Sequence, residues 1–221
     1  MRKYFAEFIG TFMLVFVGTG AVVIAGSGET PIDALGIGLA FGLTVTFMAF
    51  TVGAISGGHF NPAVTLAMLL NKRLDVKNAI IYMIAQFLGA IVGSATLSIF
   101  VRGLDLAKDG FGQTDFSSNI GIAFFAEVLL TFLFVFVILL VTSKKYGAQN
   151  LAPIAIGLTL SLLIVVGLNI TGGSLNPARS FGPALFAGGH ALTNYWVYLV
   201  APLVGAVLAA FVGKFMGSEE A

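Results

Sequence analysis

Apolar runs long enough to cross a bilayer recur along this chain, separated by short polar segments. Residues 4–25, 35–55, 79–101, 120–141, 151–170 and 195–215 each predict a span, since about 20 apolar residues are needed to cross. Segments 61–70 and 176–186 are just as apolar but much shorter. At about 1.5 Å per residue the first reaches roughly 15 Å, half of a hydrocarbon core of about 30 Å. These two segments predict half-helices. The order is span, span, half-helix, span, and then the same again. The two copies also match residue by residue, with Ala6-Glu7 and the apolar run from Gly10 mirrored by Ala126-Glu127 and the run from Leu130. Three spans per copy is an odd number, so the second copy must enter from the opposite side of the membrane. The pattern predicts an all-α membrane protein with six transmembrane helices and two half-helices in an inverted repeat. It forms one domain over 1–221, with repeats at about 1–101 and 119–221 joined by the loop 102–118.

Each half-helix is introduced by the same phrase. Ser56-Gly57-Gly58-His59-Phe60-Asn61-Pro62-Ala63 is echoed by Thr171-Gly172-Gly173-Ser174-Leu175-Asn176-Pro177-Ala178, followed by Arg179. Asn caps the orphan N–H groups of a helix start, and Pro suits the first turn because it has no N–H to leave unpaired. The glycines permit a tight, non-helical approach. Irregular backbone at membrane depth survives only where it is buried in protein or lines water. The two phrases are therefore expected to expose carbonyls to a pore.

Charge supports the topology. With both termini inside, Arg2, Lys3, Lys72, Arg73, Lys77, Lys144, Lys145 and Lys214 lie inside and only Arg102 and Lys108 outside. That is the bias expected of cytoplasmic loops. Composition agrees: 58% of residues are hydrophobic and 10% charged, against about 25% charged in soluble domains. Mean hydropathy is +1.01. A net charge of +1 argues against a nucleic-acid partner. The absence of cysteine excludes a disulfide framework and a thiolate metal site, and no cofactor is expected. No signal-peptide pattern is expected in the first run, which is long enough to span.

Glu7 and Glu127 are the acids inside spans, and such carboxylates are costly. They predict either a proton pathway or acceptors that brace the irregular loop of their own repeat; symmetric placement favours bracing. Gln86 is expected to brace similarly. His59 reads as a loop-fixing hydrogen-bonding group rather than a metal ligand or proton shuttle, because no second ligand lies near it in sequence. Half-helix N-termini carry about half a positive charge each. Two such ends facing each other repel cations, protons included. Asn61 and Asn176 add amide donors there, and Arg179 adds a full charge that reads as lining the pore.

The two Asn-Pro-Ala boxes, the Ala-Glu-containing first and fourth spans, the stretch from Ile55 to Thr65, and Asn176-Pro177-Ala178-Arg179-Ser180-Phe181-Gly182-Pro183 resemble the aquaporin, or major intrinsic protein, family. The resemblance covers nearly the whole chain. It implies a right-handed six-helix bundle, a homotetramer with one pore per subunit, and passive passage of water or small neutral solutes with exclusion of protons. It also implies an outer selectivity filter at Phe41, Ile164, Gly173 and Arg179. Phe41, Arg179, Ser180 and Ala184 are similar to the water-channel pattern. Ile164 departs from it, since strict water channels usually have His there. With Ile164 and Gly173 facing the lumen, the filter is expected to be less polar than a strict water pore. The expected function is a water channel that also admits solutes such as glycerol, as in some archaeal members with Ile at this place. A glycerol facilitator is the alternative, and a proton-coupled transporter using Glu7 and Glu127 is the alternative of another class. The expected location is the cytoplasmic membrane, with both termini cytoplasmic.

Overall fold

Each long apolar run becomes a helix, and the helix ends follow the polar residues that flank it. In the computed structural model, which describes residues 1–27, 32–106, 110–117 and 119–218, the elements are α1 (Arg2–Gly26), α2 (Ala34–Ser56), α3 (Pro62–Leu70), α4 (Val76–Gly103), α5 (Ile120–Val141), α6 (Ala152–Thr171), α7 (Pro177–Ala187), α8 (Gly189–Thr193) and α9 (Tyr195–Phe215). Among the described residues six helices are long and apolar enough to cross a membrane: α1, α2, α4, α5, α6 and α9. The half-length α3 and α7 lie between them. Lys108, part of the charge pattern, lies outside the described residues.

Capping explains where elements begin. The Asp33 carboxylate accepts from the Gly36 N–H at 2.9 Å and starts α2. The Asp75 carboxylate accepts from the Asn78 N–H at 2.9 Å, so α4 starts at Val76, ahead of its apolar run. Hydrogen bonds from the Asn78 backbone and side chain hold the Asp75 carboxyl below its ordinary range. The run lengths do not predict the short α8. Gly188 ends α7 at φ 66° and the chain turns at once into a further helical turn.

Packing repeats the internal symmetry. Helix α1 packs on α4, α5 packs on α9 in the same way, and α2 packs on α6. Small residues allow these approaches. A Cβ on Gly89 of α4 would sit 2.3 Å from the Phe8 carbonyl oxygen of α1, and one on Gly205 of α9 would sit 2.4 Å from the Val128 oxygen of α5. In the bilayer, where water drives no helix association, such backbone proximity holds a bundle together. Gly89→Val is therefore expected to destabilise beyond the roughly 1–3 kcal/mol of ordinary overpacking, because the obstacle is main chain. Thermal melting of the detergent-solubilised protein checks this, with Gly103→Ala as control, since a Cβ at Gly103 meets nothing within 4 Å. The outward surface carries large apolar side chains such as Phe47, Ile99, Leu162 and Phe211, all more than 60% exposed, as a lipid-facing surface requires.

Candidate functional site

The site is built from the two irregular phrases, and each is held by a carboxylate of its own repeat. Gly57 and Gly172 leave α2 and α6 in the left-handed region at φ 96° and 79°. Phe60 and Leu175 take φ 50° and 55° without being glycine, a strain of about 1–3 kcal/mol each that the surroundings must hold. Glu7 supplies the hold in the first repeat. Its carboxylate accepts from Ser56 Oγ at 2.7 Å, the His59 N–H at 3.0 Å, the Phe60 N–H at 2.7 Å and Gln86 Nε2 at 2.7 Å. In the second repeat Glu127 accepts from Thr171 Oγ1 at 2.7 Å, the Ser174 N–H at 3.0 Å and the Leu175 N–H at 2.9 Å. Every lone pair used this way serves a buried donor that would otherwise be orphaned.

Tyrosines complete both braces. The Tyr82 hydroxyl donates to the Ser56 carbonyl at 2.7 Å, and the Tyr198 hydroxyl donates to the Thr171 carbonyl at 2.7 Å. Sequence reasoning missed this pair. The signal was present, because Tyr82 precedes Gly89 and Tyr198 precedes Gly205 by the same spacing. The repeats differ at the next position: where α4 has Gln86, α9 has Pro202, which can donate nothing. Gln86 also donates to Thr65 Oγ1 at 2.9 Å, and His59 Nδ1 lies 3.1 Å from the same hydroxyl. In the second repeat Ser174 Oγ lies 2.6 Å from Ser180 Oγ, and Thr114 from the connecting loop donates to Ser180 at 2.8 Å.

The half-helix starts meet through their asparagines. Asn61 Oδ1 accepts from the Ala63 N–H at 2.8 Å, and Asn176 Oδ1 accepts from the Ala178 and Arg179 N–H groups at 3.0 and 3.2 Å. Pro62 and Pro177 occupy the first turns. The amide nitrogens cross over: Asn61 Nδ2 donates to the Leu175 carbonyl at 2.8 Å, and Asn176 Nδ2 donates to the Phe60 carbonyl at 2.9 Å. Each Nδ2 carries two protons, so one remains for a passing acceptor.

A narrow cavity of about 50 Å³ runs along these groups. Gly57, Gly58, His59, Phe60 and Asn61 line it from one phrase, and Ser174, Leu175, Asn176 and Arg179 from the other. Ile156, Leu160 and Ile164 follow it along α6, and Phe134, Ile138 and Thr142 along the antiparallel α5. Thr142 and Ile156 therefore stand at one end. Ile164, with Phe41 and Arg179, stands about 12 Å further along, given eight residues of helix rise. The Arg179 guanidinium carbon lies 4.8 Å from the Phe41 ring centroid, and its Nη1 donates to the Gly112 carbonyl at 3.1 Å. Gly112 and Thr114 come from a loop whose sequence carries no motif, so nothing in the chain points to them. Gly173 stands next to Ile164 in this part of the structure. A Cβ there would lie 3.3 Å from Ile164 Cδ1, a tight contact that a glycine avoids.

The family described as major intrinsic protein matches residues 1–213. The chain belongs to the major intrinsic protein family. It is 60% identical over 221 residues to a "glycerol uptake facilitator protein-like 6" of Lactiplantibacillus plantarum, covering 100% of both chains. It is 46% identical over 224 residues to an "aquaporin Z" of Brucella melitensis, covering 97% of each. Among solved structures, the aquaglyceroporin from Plasmodium falciparum matches with a TM-score of 0.85 at 29% identity, over 98% of this chain and 96% of that one. Membership of the major intrinsic protein family accounts for the repeat, the half-helices and the apolar exterior together. These relatives are named for both water and glycerol, so their names alone do not divide the two solutes.

Proposed function

We propose that this chain is a passive channel for water that also admits small neutral solutes such as glycerol and refuses protons and ions. It involves no chemical step and no cofactor. The observation that carries the reading is the crossed pair Asn61 and Asn176 at two facing helix starts beside a narrow cavity. A water molecule accepts a hydrogen bond from either amide, while a cation meets two positive helix ends and Arg179. Ile164 in place of an imidazole removes a donor from the wall, which favours a solute with a carbon skeleton. Glu7 and Glu127 act as braces: each carboxylate is committed to loop donors, which argues against a proton carrier. The site residues are then Asn61, Pro62, Ala63, Asn176, Pro177 and Ala178 at the centre and Phe41, Ile164 and Arg179 at the filter. Gly173 completes the filter beside Ile164, and His59 lines the inner half. The charge pattern supports both termini inside, and the family resemblance supports a homotetramer in the cytoplasmic membrane.

Stopped-flow swelling of proteoliposomes in water and glycerol gradients tests this. Water flux well above that of empty vesicles is expected, with measurable glycerol flux. Ile164→His is expected to lower glycerol flux and keep water flux. Water rates equal to those of empty vesicles would sink the reading, and glycerol flux exceeding water flux would make the glycerol facilitator the better one.

A further inference from the structure

The end of the cavity away from Arg179 has a cation of its own. Half-helix α3 ends at Asn71, and Lys72 then takes φ 58°, where glycine is the usual residue. The Arg73 N–H donates back to the Met68 carbonyl at 2.9 Å and the Lys72 N–H to the Leu69 carbonyl at 3.0 Å. This strained reversal turns Arg73 toward α5. Its guanidinium donates to Thr142 Oγ1 at 2.8 Å, to the Leu139 carbonyl at 2.9 Å, and to the carbonyl of Ser218. Ser218 is itself buried, with its hydroxyl donating to Asn71 Oδ1 at 2.8 Å and its N–H to the Gly213 carbonyl at 2.9 Å. The α3 exit, the α5 end and the residues after α9 thus meet on one guanidinium.

Thr142 lines the cavity, yet its hydroxyl is in use. Its proton goes to the Ile138 carbonyl at 2.6 Å and a lone pair receives Arg73. Beside it the wall is Met68, Ile138, Ile156 and Leu160, without a strong hydrogen-bonding group. We propose that Arg73 is a positioning residue for solute selection at this end of the pore. It keeps the wall apolar by occupying the Thr142 hydroxyl, and Ser218 locks the guanidinium in place. The proposal rests on the channel reading above. Beside Ile164 the Arg179 guanidinium lines the cavity and offers donors to a polyol's hydroxyls, whereas the wall at this end offers none; a polyol gives up more hydrogen bonds with water than a single water molecule does, so this end weighs against glycerol.

Proteoliposomes carrying wild type, Arg73→Met, Thr142→Val, the double variant, and a chain ending at Gly217 test this. Arg73→Met is expected to raise the glycerol-to-water flux ratio roughly threefold to tenfold, the factor one net hydrogen bond carries. The shortened chain is expected to move the ratio the same way. Arg73→Lys, which keeps the charge but not the planar fork, should fall between. In the Thr142→Val background Arg73→Met should add nothing. An unchanged ratio in well-folded Arg73→Met and in the shortened chain overturns the proposal, as does an equal rise with valine in place of Thr142. If Arg73→Met does not assemble, the shortened chain with and without Thr142→Val decides by the same criteria. Wild-type water flux is read separately, so failure of the channel reading is not confused with failure of this one.

Discussion

Replacing Glu127 by alanine is expected to leave almost no folded protein. The substitution orphans the N–H groups of Ser174 and Leu175 and leaves the Thr171 hydroxyl only a long 3.5 Å contact with the Gly167 carbonyl, all buried at membrane depth. At about 1–3 kcal/mol for each unsatisfied donor, the loss rivals a typical total stability of about 5–15 kcal/mol. The strained φ of Leu175 also loses its restraint. Yield and thermal melting in detergent measure the effect, and a melting point within a degree or two of wild type would refute the bracing role. Glu127→Gln is expected to be milder. Its remaining oxygen can serve Thr171 and Ser174, and the amide opposes the Leu175 N–H alone. Glu7→Gln should be milder too, for a different reason. Gln86 Oε1 is buried with no partner, so turning the Gln86 amide lets it accept from the amide introduced by that substitution. Water flux of either Gln variant should be indifferent to a proton gradient, and a gradient-dependent flux in wild type that these variants abolish would favour the transporter.

Arg179→Val is expected to open the filter to larger and to charged solutes. The guanidinium covers Phe41 and is tied to the Gly112 carbonyl, so its loss leaves space as well as removing a full charge. A unit charge acting over about 4 Å at an effective dielectric constant of about 20 is worth about 4 kcal/mol. That is an upper scale of nearly three decades in rate. A glycerol flux raised about tenfold or more, the factor about 1.4 kcal/mol carries, is expected together with a measurable proton leak. Stopped-flow light scattering and a pH-sensitive dye trapped in the same vesicles read the two effects. Unchanged glycerol flux with no leak would remove Arg179 from the filter. Water flux should persist, because the crossed asparagines and facing helix starts remain.

Much of this was legible from the chain because hydrophobicity in a membrane protein is written in long runs. The six spans, the half-length of α3 and α7, and the repeat around Glu7 and Glu127 all follow from run length and spacing. Phe41 and Ile164 were placed by family resemblance, and both line the cavity. The neighbour of Gly173 was not legible, because a glycine carries no side chain to point at one; the fold sets Ile164 Cδ1 3.3 Å from where its Cβ would be. Gly112 and Thr114 could not be read at all: the loop carrying them has no periodicity, and it acts through one backbone carbonyl and one hydroxyl.

The repeated phrase by itself determined that two helices would start at Asn61 and Asn176. Capping is a local matter of a side-chain oxygen two or three residues from an N–H, and it needs no distant partner. Only the tertiary structure decided that each asparagine would spend one amide proton on the other repeat's carbonyl, Leu175 or Phe60. Those partners lie more than a hundred residues apart, and no local rule spans that distance. The same holds for Arg73, whose charge and loop position were plain in the sequence. Its three acceptors on α5 and after α9 come together only when the helices pack.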